Sequence, residues 1–291
     1  MVLIVGATGQ LGSRIARELL SRRVAVRALC RPSSGAGALR RMGAEIAIGD
    51  LRDAGSLAAA CVGADTVITT ATSARRGGED TIAGVDVAGT RALVDAARAA
   101  GVGHFVYTSV YSAAAGSPDA FMAAKGTSEE YLRASGLPWT VLAPDAFMES
   151  WPGAIVGARA MAGQPVVLVG DATKRHAYVA EHDVAQVAVA AVLGNLAARN
   201  RRLAIGGPAA LSWRDVIETY ERALGTTIEV RLVRPGEAVA GVSDALLALL
   251  ALYETFDSVF NASALFAECN VPQTTLEAWV RASLASTRRR I

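Results

Sequence analysis

Short runs of β-branched and other apolar residues alternate with alanine- and leucine-rich segments through the first 150 positions of the chain. The short runs have the length and composition of buried strands, whereas the longer segments carry apolar residues at helical spacing. Six strands are predicted, over residues 2–5, 24–29, 45–48, 66–70, 104–109 and 139–142. Strands that alternate with helices specify a parallel sheet with helices on both faces. The predicted fold class is therefore α/β, a doubly wound, Rossmann-like parallel sheet.

The pattern becomes less regular after about residue 148. It predicts isolated strands over 166–169 and 203–205, and longer helices over 213–224 and 237–256. The last of these helices is apolar on more than one face. Neither a repeat nor a proline-rich linker separates the two halves. We predict a Rossmann domain over residues 1–150 and a smaller C-terminal lobe on the substrate side over 151–291, partly interleaved with the first domain.

The first predicted strand runs directly into a glycine-rich loop, Gly6-Ala-Thr-Gly9-Gln-Leu-Gly12, that opens a predicted helix at about Gln10. Glycines suit a turn with unusual backbone angles and a close approach of the main chain to a pyrophosphate. The helix N-terminus offers N–H groups to an anion. A tight turn without a ligand is the alternative, but the strand before and the helix after favour a dinucleotide site. The predicted contacts are Gly6, Thr8, Gly9, Gln10, Leu11 and Gly12.

Further cofactor contacts are predicted where the next strands end, because ligands of doubly wound sheets bind at the carboxyl ends of the strands. Arg31 follows the second strand, a position at which an acid favours NAD and an arginine favours the 2′-phosphate of NADPH. Arg31 therefore predicts NADPH, although a surface arginine is the alternative in this arginine-rich chain. The other predicted contacts are Ser33, Asp50, Leu51, Thr70 and Ala71.

Composition narrows the function classes. Of 291 residues, 52% are hydrophobic and 19% are charged, which excludes a disordered chain. The 29 basic and 27 acidic residues leave a net charge of +2, so no nucleic-acid partner is predicted. Three scattered cysteines and three histidines predict neither a disulfide framework nor a metal site. We expect a cytoplasmic protein without a membrane partner, since the chain shows no signal-peptide pattern and no apolar run of about 20 residues.

Four stretches carry a family signal: the glycine loop, Gly49-Asp50-Leu51, Val106-Tyr-Thr-Ser109, and the segment from Ser135 to Pro144 with Phe147-Met-Glu149 after it. Together they resemble the NmrA-like atypical short-chain dehydrogenase/reductases over most of residues 1–150. The resemblance implies a fold that binds NAD(P)(H). It also implies either reduction of quinones, ketones or related conjugated substrates, or a redox-sensing role without chemistry.

The same resemblance implies catalytic roles. Conventional members of the superfamily use a serine to hold the substrate carbonyl, a tyrosine to donate a proton, and a lysine four residues later to bind the nicotinamide ribose. Ser109 matches the serine, and Lys125, one of only two lysines in the chain, matches the lysine. Phe121 stands where the tyrosine is expected and cannot donate a proton. Tyr111, water or the substrate itself is the predicted proton source.

The missing phenol favours a substrate whose reduced oxygen needs little help, such as a quinone or a hydroxyaryl ketone. Phe121, Phe147, Met148 and Trp151 are predicted to offer it an apolar surface, although core packing would explain them nearly as well. We predict an NADPH-dependent ketoreductase or quinone reductase, with an aromatic polyketide in antibiotic biosynthesis as the narrower hypothesis. The alternative is a non-catalytic NADP-binding regulator. The chain is expected to be a monomer or a homodimer.

Overall fold

The computed structural model describes residues 1–74, 78–194 and 196–288, and the chain divides into two compact units. The first unit comprises Met1–Pro144, His182–Ile205 and Leu265–Val271. The second comprises Asp145–Glu181, Gly206–Ala264 and Pro272–Ile291. Each unit is therefore assembled from three separate stretches of the chain.

The strands and helices of the described residues follow in chain order. The strands are β1 (Val2–Val5), β2 (Val26–Cys30), β3 (Glu45–Ile48), β4 (Thr66–Thr69), β5 (His104–Thr108), β6 (Trp139–Pro144), β7 (Val166–Val169), β8 (Arg201–Ile205) and β9 (Val230–Val233). The helices are α1 (Gln10–Ser21), α2 (Gly37–Arg41), α3 (Ala54–Cys61), α4 (Thr90–Ala99), α5 (Ala120–Ala134), α6 (Ala158–Met161), α7 (Glu181–Leu193), α8 (Trp213–Leu224), α9 (Asp244–Tyr253), α10 (Ser263–Cys269) and α11 (Leu276–Arg288). Two π-helical segments, Ile82–Gly89 and Glu149–Gly157, lead into α4 and α6.

The first unit is built on a seven-stranded parallel sheet with the order β3-β2-β1-β4-β5-β6-β8. The predicted doubly wound, Rossmann-like fold is confirmed. The strand order reverses between β1 and β4, and Val5 pairs with both Leu29 and Thr69. Because these three strands end level, the residues that follow them meet at one edge of the sheet, where ligands of such folds bind.

Each unit has its own apolar core. In the first, alternate residues of the strands pack on the helices, with Leu3, Phe105 and Val141 completely buried. Helix α1 buries Ile15 and Leu19, which lie one turn apart and therefore on one face. In the second, all four residues of β7 are buried, and they belong to one apolar cluster with residues of α8, α9 and α11.

The structure corrects three predicted elements of the second half. The strand predicted as isolated over 166–169 is β7, which pairs in parallel with β9. The strand predicted as isolated over 203–205 is the end of β8, which pairs in parallel with β6 and so belongs to the main sheet. The helix predicted over 237–256 is shorter, because Gly241 adopts φ +77 and the Ser243 hydroxyl accepts from the N–H of Leu246 to begin α9. The sequence pattern does not indicate strand β9, a four-residue strand in which only Val233 is buried.

In the described part of the chain, no helix combines the length and the apolar character that crossing a membrane requires.

Candidate functional site

The glycine loop joins β1 to α1 in a conformation that needs glycine at two positions. Gly6 has φ +86, in the left-handed region, and a Cβ there would lie 2.7 Å from Thr70 Oγ1 and 2.8 Å from the Ala71 nitrogen. A Cβ on Gly12 would collide with the Gly6 carbonyl oxygen. The loop therefore closes tightly on itself and on the residues that follow β4.

The loop also leaves the start of α1 open to an anion. Gly9 is the N-cap residue, no side chain caps the helix, and the first turn carries no acidic residue. The first N–H groups of a helix have no partner within the helix, and the helix dipole places partial positive charge there. This arrangement fits a phosphate or pyrophosphate group.

The segment after β4 supports the glycine loop. The Thr70 hydroxyl donates to the Gly6 carbonyl oxygen at 3.3 Å, so this predicted cofactor residue braces the loop. Ala71 and Thr72 line the cleft beside the loop. The two chain segments on either side of the topological switch point are thus tied together.

A cleft of about 470 Å³ opens at this edge of the sheet. The residues that line it come from the ends of β1 to β4 and from the segment before α4: Val5, Gly6, Thr8, Leu29, Arg31, Ser34, Gly49, Asp50, Leu51, Ala71, Thr72, Asp80 and Val85. Six predicted cofactor contacts are among them, namely Gly6, Thr8, Arg31, Asp50, Leu51 and Ala71. These six residues come from separate stretches of the sequence, and the fold brings them together in one cleft.

The other predicted contacts lie outside the cleft wall or behind it. Ser33 is exposed, and Ser34, whose N–H donates to the Arg31 carbonyl oxygen at 2.9 Å, lines the cleft in its place. Gln10 is exposed at the start of α1, whereas Leu11 is 8% exposed and packs inward. Ser34, Thr72 and Asp80 were not predicted. Thr72 could have been found by extending the strand-end rule two residues beyond Thr70.

Acidic and basic side chains form ion pairs in and beside the cleft. Arg31 Nη1 lies 2.9 Å from Asp80 Oδ2. Both carboxylate oxygens of Asp50 accept from Arg52, whose Nε is 3.1 Å from Oδ1 and whose Nη2 is 3.2 Å from Oδ2. These hydrogen bonds from Arg52 hold the pKa of Asp50 below its ordinary value. Arg52 also reaches Glu79 at 3.3 Å.

The geometry does not support the role predicted for Ser109. Its side chain is 2% exposed, and its hydroxyl donates to Glu129 Oε1 at 2.6 Å. Glu129 in turn accepts from Arg202 Nε at 3.0 Å and from Arg133 Nη2 at 2.6 Å. Ser109 follows the inward-facing Tyr107 by two positions, so the period of the strand turns its hydroxyl toward α5.

Lys125 lies in a second buried polar cluster. It is 3% exposed, and its Nζ is 3.2 Å from Asp86 Oδ1 and 3.4 Å from the Thr108 carbonyl oxygen. Burial lowers the pKa of Lys125, but Tyr107 and Asp86 outweigh burial and raise it above the ordinary value. Asp86 Oδ2 accepts from both the N–H and the hydroxyl of Ser73, at 3.0 and 2.5 Å. Through Asp86 and Ser73, Lys125 therefore supports the turn that carries Thr72, a residue that lines the cleft. Lys125 itself is not among the residues that line it.

Phe121 and Tyr111 are both partly exposed in the first unit. The Phe121 ring centroid lies 5.4 Å from Lys125 Nζ, one helical turn away, as the predicted motif spacing requires. The Tyr111 main chain is fixed: its N–H donates to the Pro144 carbonyl oxygen at 2.8 Å, and its carbonyl accepts from Arg202 Nη2 at 2.8 Å. The position of Tyr111 after β5 is consistent with the predicted proton source, which stays a prediction.

The predicted apolar substrate contacts Phe147, Met148 and Trp151 belong to the second unit. Met148 is 1% exposed within the core of that unit, so packing accounts for it. Phe147 is partly buried and forms a parallel bridge with Val179. The centroid of the Trp151 ring lies 3.8 Å from the centroid of the Tyr253 ring, so the two rings are in contact.

Among the described residues, no group of His, Cys, Asp and Glu side chains is arranged to hold a metal ion.

Comparison with known proteins finds a family model and related sequences that match this chain. The NmrA-like family model matches residues 1–280. The chain is 29% identical over 245 residues to an NAD(P)H azoreductase from Xenophilus azovorans, a match that covers 83% of this chain and 81% of that protein. It is 32% identical over 237 residues to the photosystem II assembly factor Ycf39 from Synechocystis sp., covering 80% of this chain and 70% of that protein.

A solved structure shows the same fold. The crystal structure of an NADPH-dependent quinone oxidoreductase from Escherichia coli, complexed with NADPH, superposes with a TM-score of 0.81. The match covers 98% of this chain and 100% of that one, at 23% sequence identity. At this identity the likeness concerns the fold alone.

Proposed function

The chain belongs to the NmrA-like family, and we propose that it is an NADPH-dependent reductase that transfers hydride to a quinone or a comparable conjugated aromatic carbonyl. The observation that carries the proposal is the tight glycine loop at the uncapped start of α1, with Arg31 across the same cleft. The azoreductase and quinone oxidoreductase named above support it, since both act with a nicotinamide cofactor according to their names.

The residues present fit the cofactor. Because a Cβ on Gly12 would collide with the Gly6 carbonyl oxygen, glycine there keeps the loop tightly closed, and the uncapped α1 N-terminus supplies N–H donors for a diphosphate. In our proposal Arg31 binds the 2′-phosphate, while Asp50 and Leu51 line the adenosine end of the cleft. When bound, NADPH supplies a hydride, that is, two electrons and one proton.

Replacing Arg31 tests the choice of cofactor. Arg31→Asp should weaken NADPH binding by at least about tenfold and NADH binding by no more than about twofold, because only the former has a 2′-phosphate to lose its partner. Titration calorimetry of both nucleotides measures the difference. Arg222→Asp is the control, since it makes the same charge change at an exposed pair with Glu218. Equal losses for NADPH and NADH would remove Arg31 from the 2′-phosphate.

The residue at position 121 supports a phenol-forming acceptor. A general acid contributes about 10²- to 10⁴-fold, and Phe121 cannot provide one. Reduction of a quinone leaves a phenolate-like oxygen, whose conjugate acid has a pKa of about 10, as tyrosine does, whereas an alkoxide resembles hydroxide, whose conjugate acid has a far higher pKa. Water or Tyr111 can protonate the former with little assistance. A hydroxyaryl ketone of the antibiotic-biosynthesis type is the narrower candidate, because its own phenol lies beside the developing oxyanion.

Phe121→Tyr tests this assignment of the acceptor. With a naphthoquinone or a hydroxyaryl ketone, kcat/KM should stay within about twofold of the parent, since no missing acid limits that reaction. With an aryl ketone that lacks the adjacent phenol, the variant should gain at least about tenfold. NADPH consumption, followed by absorbance, measures all three. A large gain with the quinone would show that the absent phenol limits turnover and would contradict the proposal.

A second candidate function is a nucleotide-binding regulator or assembly factor without chemistry. The observation that favours it is that Ser109 and Lys125 are both engaged in buried polar clusters, and one relative is named for photosystem II assembly. NADPH binding with no turnover on quinones, azo dyes or hydroxyaryl ketones would select this function over the first.

A further inference from the structure

The ion pair between Arg31 and Asp80 lies inside the cleft that our proposed function assigns to NADPH. We propose that Asp80 is a specificity-determining residue that competes with the 2′-phosphate for Arg31 and thereby limits the preference for NADPH over NADH. This inference rests on the proposed function, because it concerns the same cleft. It adds a residue that glycine-loop and strand-end patterns do not identify.

The contact between the two side chains is direct. Arg31 Nη1 donates to Asp80 Oδ2 at 2.9 Å, and both residues line the cleft. The Asp80 side chain is 12% exposed and that of Arg31 34%, so the pair is partly shielded from water. A charge-assisted hydrogen bond of this length is among the stronger polar contacts, and its guanidinium is the group that would recognise a phosphate.

The charges that line the cleft explain why this pair should affect phosphate binding. Among the described residues that line it, Arg31 carries positive charge, whereas Asp50 and Asp80 carry negative charge. Both oxygens of Asp50 are occupied by Arg52, which lowers the field of that carboxylate in the cleft. Asp80 is therefore the carboxylate whose partner a phosphate would have to share or displace. NADH makes no such demand, because its ribose hydroxyl is neutral.

The position of Asp80 in the fold explains how it arrives there. It lies 49 residues after Arg31, next to Thr81, whose hydroxyl accepts from the N–H of Gly84 and so begins the π-helical segment Ile82–Gly89. Farther along that segment, Asp86 is held by Ser73 and Lys125. The segment that follows Asp80 is thus held in place at Asp86, and the contact with Arg31 places the Asp80 side chain beside the end of β2.

Asp80→Asn removes the competing charge with little change of shape. We expect the variant to bind NADPH about five- to tenfold more tightly, from the loss of one partly exposed ion pair and of one like-charge contact, while NADH affinity changes by less than about twofold. Titration calorimetry at fixed ionic strength measures both constants. The fragments 2′,5′-ADP and 5′-ADP should show the same contrast, which assigns it to the phosphate on the ribose.

Glu79→Gln is the matched control. It also removes one negative charge, from the adjacent residue, but its side chain is 91% exposed and pairs with Arg52. It should change the affinity for either nucleotide by less than about twofold. In an Arg31→Gln background, Asp80→Asn should keep only the smaller part of its effect on NADPH, the part from like-charge repulsion, because no guanidinium remains for the two anions to compete for.

The outcomes separate this inference from the proposed function. If the parent protein binds neither NADPH nor NADH, the proposed function fails. If it binds NADPH but Asp80→Asn weakens that binding, then Asp80 orients Arg31 instead of competing with the phosphate, and the inference is overturned. An equal gain for NADH, or an equal gain in Glu79→Gln, also overturns it, since the effect would then be general electrostatics.

Discussion

Gly12→Ala is expected to weaken NADPH binding by at least about 100-fold, which corresponds to about 2.7 kcal/mol. The added Cβ would collide with the Gly6 carbonyl oxygen, and it would also lie 2.8 Å from Thr70 Oγ1. Because the first atom is backbone, relief requires the loop to move away from the residues that follow β4. The cradle would then no longer present its N–H groups to a diphosphate. Calorimetric or fluorescence titration with NADPH measures the loss.

Two further glycine substitutions make this a graded test. Gly9→Ala places a Cβ 3.2 Å from the Gly6 carbonyl oxygen, so a small shift accommodates it and the loss should be intermediate. Gly116→Ala meets no atom within 4 Å and should bind as the parent does. Thermal unfolding of all three variants separates a local effect on the loop from loss of the fold. Unchanged binding in a folded Gly12→Ala variant would exclude the loop as the nucleotide cradle.

The sheet of the first unit could be predicted because its information is local. Each of β1 to β6 is a short apolar run followed by a helical pattern, so its type and approximate bounds can be read without knowing its neighbours. The pairing of β8 with β6 could not be read in this way. It requires the chain to leave at Pro144, pass through the second unit, and return through α7 to Arg201. Nothing near Leu203 in the sequence indicates that return.

The same distinction separates the predicted cleft residues from the missed ones. Gly6 and Arg31 follow directly on a strand, and Asp50 comes two residues after one, so the strand-end rule finds them. Asp80 comes ten residues after Thr70 and follows no strand end, so the rule does not reach it, although it lines the cleft. A motif can state which residue follows a strand, but it cannot state which distant carboxylate meets the guanidinium.

The catalytic motif shows that residue spacing does not predict where a polar side chain points. The interval between positions 121 and 125 correctly places Phe121 and Lys125 one turn apart on α5. The direction of each polar group is instead decided by long-range partners. Glu129, Arg202 and Asp86 draw Ser109 and Lys125 into the interior of the first unit. Buried carboxylates of this kind must find partners, because an unpaired buried charge is costly.

Lys125→Met is expected to lower the free energy of unfolding by about 3–5 kcal/mol, the range for removing one partner of a buried ion pair. Asp86 is 0% exposed and would keep its charge without the ammonium 3.2 Å away. Chemical denaturation monitored by circular dichroism measures the change. Lys174→Met is a matched control, because it removes the other lysine of the chain, whose Nζ lies 3.3 Å from Asp257. Exposed pairs of that kind contribute at most about 1 kcal/mol.

The pH dependence distinguishes the lost charge from lost packing. In the native protein burial raises the pKa of Asp86, but Lys125 and the Ser73 hydrogen bonds outweigh it and hold the pKa below its ordinary value. This contribution is present above the unfolded pKa of about 3.9 and is lost as the pH falls through the folded value. In Lys125→Met burial prevails and raises that pKa, so the variant should regain stability as the pH falls from 7 toward 5, while the parent gains nothing from Asp86. Adding Asp86→Asn should recover part of the loss at pH 7 and remove this slope. A stability difference that stays constant from pH 7 to 5 would instead assign the loss to the packing of the lysine stem.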